Sequence, residues 1–137
     1  MLNRVVWYLA AMSTVHFSVA AIDCLEPLEL AKFYSELTGL AIEPLGDVLP
    51  ENVTWLELLN EGCPTIAFQK VSKLTPVTWP EGSQPQRLHL DFLVDDLDDG
   101  EALALRLGAS KAEFQPGTSF RVFLDPTGHP FCLVQRG

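Results

Sequence analysis

The chain reads as an α+β protein in which one βαβββ unit occurs twice, with a histidine from each copy facing a shared cup. Three observations carry this reading. Strand-like segments open at Thr14 to Ala20 and at Arg87 to Val94, each holding a histidine near its start, His16 and His89. Each is followed by an apolar-periodic helix that stops at a glycine, Gly39 or Gly108. Each half then carries a turn glycine, Gly62 or Gly128, separated by one residue from a proline, and such matched punctuation is the mark of an internal repeat.

The elements follow in order. After the first strand, Pro27 falls in the opening turn of a helix, where its missing N–H is harmless, and Leu30, Phe33, Tyr34 and Leu37 recur at i, i+3, i+4 and i+7. Strands are predicted at Ala41 to Glu43, Val53 to Leu59 and Thr65 to Val71, the last two joined by a Glu61-Gly62 turn. The second half repeats the order: a strand to Val94, an Asp95-Asp96 cap, and a helix through Leu103 and Leu107. Strands at Lys111 to Phe114, Ser119 to Leu124 and Phe131 to Gln135 complete it, with Asp125-Pro126-Thr127-Gly128 as the final turn.

With 137 residues and 47% hydrophobic content the chain can bury the core of one domain. We place that domain at 13–137, with modules 13–71 and 87–137 joined by a linker, 72–86. A formal net charge of −9 disfavours phosphate backbones and anionic lipid, which argues against nucleic acid and membrane as partners. Cys24, Cys63 and Cys132 are odd in number and lack CxxC spacing, which fits a reduced, cytoplasmic protein better than a disulfide framework. Residues 1–12 have no counterpart in the second half. Arg4 and the apolar run to Met12 loosely resemble an export signal, but the run is short and lacks a clear cleavage site; Met12 is an alternative start to Met1.

Alternation along the strands assigns faces. His89, Asp91 and Leu93 oppose Leu90, Phe92 and Val94, while His16, Ser18 and Ala20 oppose Phe17, Val19 and Ala21, so each histidine falls on the more polar face. Asp91 shares the His89 face and is a candidate catalytic base or histidine orienter. Trp55 and Phe68 are either core aromatics of their strands, the default for such residues, or walls of an apolar ligand pocket. Trp79 lies in the Pro-rich linker and either packs on a sheet edge or belongs to a lid. Cys132, in an apolar strand, is either a small buried hydrophobe or a thiol that meets ligand.

Taken together, Asp23-Cys24 before Glu26 to Tyr34, Leu37-Thr38-Gly39, Ala67 to Val71, His89 to Asp96 and Asp125 to Cys132 resemble the vicinal oxygen chelate superfamily, in its glyoxalase-like branch. That branch includes glyoxalase I, extradiol dioxygenases and bleomycin-resistance proteins. The resemblance implies paired βαβββ modules around a cup, a homodimer, and in metal-dependent members a divalent ion held by one residue from each of four strands. It matches His89 to the ligand histidine of the second module and His16 to its counterpart. The glutamate positions of those metalloenzymes fall here on Cys132 and on Ile66, Phe68 or Gln69, so Gln69 joins His16 and His89 as a candidate ligand, while a magnesium, manganese or iron site is disfavoured. Two functions follow: a metal-free module that holds a small apolar or aromatic molecule in the cup, or a divergent metal-dependent lyase, isomerase or dioxygenase.

Overall fold

In the computed structural model, which describes residues 14–137, the two βαβββ units are present in sequence order. The extension at 1–12, with both candidate starts, lies outside the described residues. The first unit comprises β1 (Ala20–Cys24), α1 (Pro27–Thr38), β2 (Ala41–Ile42), β3 (Trp55–Asn60) and β4 (Cys63–Lys70). The second comprises β5 (Leu90–Val94), α2 (Leu97–Arg106), β6 (Ser110–Lys111), β7 (Phe120–Leu124) and β8 (Pro130–Gln135). Each forms a four-stranded mixed sheet, in the orders β1-β4-β3-β2 and β5-β8-β7-β6.

The local chemistry explains the boundaries. Pro27 opens α1, and Gly39 ends it in the left-handed conformation, φ 79°, with its N–H donating to the Ser35 carbonyl at 2.8 Å. Asp96 caps α2 by accepting from the Asp99 N–H at 2.9 Å. Glu61 and Gly62 both have positive φ, 50° and 81°, which suits a two-residue hairpin turn between β3 and β4.

Both opening strands depart from the sequence expectation: the first is displaced, sharing only Ala20 with the expected Thr14 to Ala20 segment and running on to Cys24, and the second is shortened. β1 begins at Ala20 rather than Thr14, and β5 at Leu90 rather than Arg87. Their parallel partners set these limits: Ala20 lies opposite Ile66 and Leu90 opposite Phe131, and just upstream on the partner strands stand Pro64 and Pro130, which have no N–H to offer a ladder.

The matched registers align the modules residue by residue. Ala21 corresponds to Asp91, Ala67 to Cys132, Glu57 to Val122 and Trp55 to Phe120. One step upstream of the paired strands, Val19 corresponds to His89.

The helix-facing sides of both sheets contribute to one core, including Leu56, Leu58 and Phe68 from the first and Phe123, Phe131 and Leu133 from the second. Tyr34 of α1 joins them. Its ring stacks on Phe68 at 5.7 Å and meets Phe131 at 6.0 Å, and its hydroxyl donates to Asp125 Oδ2 at 2.6 Å across 91 residues of sequence. Burial, reinforced by the Asp125 carboxylate, pushes the Tyr34 phenol well above its ordinary range.

Candidate functional site

Opposite the helix side, each sheet has a second face, and the alternation of β5 decides what the second sheet presents there. Phe92 and Val94 pack into the core, so His89 and Asp91 point the other way. On neighbouring β8, Phe131 and Leu133 join the core, and Cys132, directly opposite Asp91, turns to the same face as the histidine. His89 Nε2 lies 3.2 Å from Asp91 Oδ1, and the side chains of these residues retain 41% and 57% of their accessible surface. One ligating atom from each of His89, Asp91 and Cys132 falls within 4.8 Å of the others.

Cys132 is buried at 4% exposure. Burial first, then the charge of Asp91 and a hydrogen bond to it, push the thiol up to about 11. It is therefore a protonated donor to the carboxylate near neutral pH, not a standing nucleophile. Beside it lies a small apolar cluster of Ala112, Val122 and Cys132, against which Trp79, Phe120 and Val134 pack. Trp79 reaches this cluster from the inter-module segment and anchors its indole N–H on the Phe114 carbonyl at 3.3 Å. An aromatic wall thus stands next to a polar trio.

The first sheet offers a different face. The positions matching His89, Asp91 and Cys132 hold Val19, Ala21 and Ala67, none with a side-chain donor atom. Trp55 is 40% exposed, lies opposite Gln69, and donates its indole N–H to Glu57 Oε1 at 3.0 Å. Glu57 sits across the ladder from Ala67. Gln69 is exposed on this same face.

Two candidates from the sequence move out of the site. His16 precedes β1 and is exposed; the strand register assigns the position matching His89 to Val19, because three extra residues separate His16 from the strand. Phe68 faces the helices, fully buried against Tyr34, and has no free surface for a ligand. His89, Asp91, Cys132 and Trp79 come together, while Trp55 and Gln69 form a separate group on the first sheet. Phe120 and Val122 were not singled out from sequence: aligning the repeats on their turn glycines sets Trp55 against Arg121, and only the register shift at Leu58/Leu59 of the first sheet brings Phe120 into the position matching Trp55.

As a metal centre the trio fits some ions and not others. A single carboxylate with an imidazole and a thiol is a poor cage for magnesium, which prefers oxygen donors, and a reasonable three-ligand set for zinc with an open position. Binding would release the Cys132 proton, so affinity would rise with pH.

Two βαβββ units with a polar group on the non-helical face of a mixed sheet define the glyoxalase and bleomycin-resistance class of fold. The model of the glyoxalase-like domain matches residues 19–134, and the chain belongs to that family. No curated protein matches it significantly. A glyoxalase/bleomycin resistance protein/dioxygenase family enzyme from Burkholderia phytofirmans superposes with a TM-score of 0.62 at 18% identity, covering 86% of this chain and 96% of that one. A glyoxalase/bleomycin resistance protein from Albidiferax ferrireducens gives 0.58 at 19% identity, covering 88% and 98%. A fosfomycin resistance protein from Listeria monocytogenes gives 0.62 at 14% identity, covering 91% and 96%. Among the described residues no helix is long and apolar enough to cross a membrane.

Proposed function

We propose that this protein binds a small apolar or aromatic molecule on the non-helical face of the second sheet, without requiring a metal. Trp79 and Phe120 supply stacking surface, and the His89–Asp91 pair meets a polar group of the ligand. The observation that supports this most is the one-sidedness of the donors: His89, Asp91 and Cys132 stand in one module, and their counterparts Val19, Ala21 and Ala67 cannot complete a coordination shell. The test uses titration calorimetry with phenol and catechol as probes. Trp79→Ala is expected to weaken binding about tenfold and His89→Ala about threefold; the reverse order would count against a stacking site.

The proximity of the three ligating atoms favours a second reading, a zinc-dependent lyase, isomerase or dioxygenase in which the ion polarises substrate oxygen. One equivalent of zinc in untagged protein, lost in both His89→Ala and Cys132→Ser, would establish it over the first. In either case we place the protein as a homodimer in the cytoplasm, in keeping with its three free thiols.

A further inference from the structure

We propose a second binding site, independent of the sheet face above, in the groove between α1, the start of the inter-module segment and the β7–β8 turn, and we assign it to a small amphipathic cation. The groove encloses about 710 Å³, a volume in the range of small-molecule sites. None of the residues lining it belongs to the His89, Asp91 and Cys132 group.

Its lining has two parts. Leu25 just ahead of α1, exposed at 44%, Leu74 and Pro76 of the inter-module segment and Leu107 beyond α2 make an apolar surface contributed by segments far apart in sequence, over a floor of buried Leu30 and Phe33. Glu26, Glu29 and Glu36 border it along α1, with Lys32 as the cation among the lining residues. Lys32 Nζ is held by Glu29 at 3.2 Å, and among the described residues neither Glu26 nor Glu36 forms an ion pair. The bordering groups thus leave a net negative charge beside exposed apolar surface.

That combination selects the occupant. An apolar tail covers Leu25, Leu74 and Leu107, and an ammonium head compensates the carboxylates. A tail of the same length with a carboxylate head is repelled by the same border and by the chain's charge of −9, which also argues against a second copy of this acidic surface. The ligand is therefore a primary or quaternary amine with a short alkyl or aryl body.

Three probes with one tail and different heads test this: octylammonium, octan-1-ol and octanoate, titrated into the full chain and followed by amide chemical shifts. Octylammonium is expected to shift Glu29, Phe33, Leu74 and Leu107, to bind about fivefold tighter than octan-1-ol at low salt, and to lose that preference at high salt. Octanoate is expected to leave these amides unmoved. The triple variant Glu26→Gln, Glu29→Gln, Glu36→Gln changes exposed side chains and keeps the apolar surface, and it should equalise octylammonium and octan-1-ol. Equal binding of octanoate and octylammonium to the unaltered chain would overturn the assignment. So would shifts confined to the amides around His89, Val122 and Cys132, or no response at the groove with the fold intact.

Discussion

The two modules share a backbone plan and differ in where they keep polar chemistry. In the first, Ala31 of α1 and Leu56 of β3 sit at positions whose counterparts in the second, one residue into the matched register, are Glu101 and Arg121. Arg121 pairs with Glu101 and lies 2.9 Å from Asp98, and Lys111 reaches Glu101 at 2.9 Å, so the second helix meets its sheet through an ionic network. Where α1 presents Leu30 and Tyr34, α2 presents Gly100 and Ala104. On the other sheet face the contrast runs the same way, His89, Asp91 and Cys132 against Val19, Ala21 and Ala67. The registers preserve the backbone geometry; the side chains have divided the labour, with the first module anchoring the core and the second holding most of the reactive atoms.

The comparison is most exposed to failure at the core. Phe131→Ala should destabilise by about 3–5 kcal/mol and Ile66→Ala, at the matching position, by about 2–5 kcal/mol, measured by urea unfolding. A loss below 1 kcal/mol at either position would show that the modules do not depend equally on their central strands. Tyr34→Phe removes the donor to buried Asp125 and should cost about 1–3 kcal/mol. Because the two groups share one bond, a Tyr34→Phe, Asp125→Asn double variant should lose less than the sum of the singles.

Gly100→Ala sharpens the contrast between the helices. A Cβ there would lie 2.9 Å from Val94 Cγ1 and 3.1 Å from Leu133 Cδ1, so despite better helix propensity it should cost about 1–2 kcal/mol. A stabilised variant would mean that α2 has room to move off its sheet.

The smallest effect expected is on pH dependence. Cys24 and Cys132 are each raised from 9.0 to about 11, mainly by burial. Folded-state values above the unfolded ones mean that the stabilisation is complete below about pH 9 and fades as pH rises through about 11. The melting temperature should fall across that window, and Asp91→Asn, which removes the charge next to Cys132, should bring forward alkylation of that thiol as pH is raised; no change on Asp91→Asn would dissociate the two groups. Exposed Cys63 should label first at neutral pH.

Much of this plan was legible in the sequence because punctuation is local. Pro27, Gly39, the Glu61-Gly62 turn and the Asp96 cap act on their own neighbours, and each was placed from the chain alone. The face carrying His89 and Asp91 was also legible, since alternation within a strand needs no partner. His16 and Phe68 were misplaced for the complementary reason. Their faces depend on which β4 residue pairs with β1, a register fixed by Pro64 and by the burial of Ile22 and Cys24, and no single segment reveals it. The tie between Tyr34 and Asp125 was invisible because it joins a helix residue and a turn residue 91 positions apart.

That tie also constrains recombination. Replacing the first half of this chain with one that lacks a phenol at the Tyr34 position would leave Asp125 buried with its turn donors Thr127 and His129 alone, and replacing the second half with one that lacks the carboxylate would leave the Tyr34 hydroxyl without its acceptor. A hybrid therefore keeps this bond when it inherits α1 together with the Asp125 turn, a helix and a distant turn that cut across the βαβββ repeat the sequence makes visible.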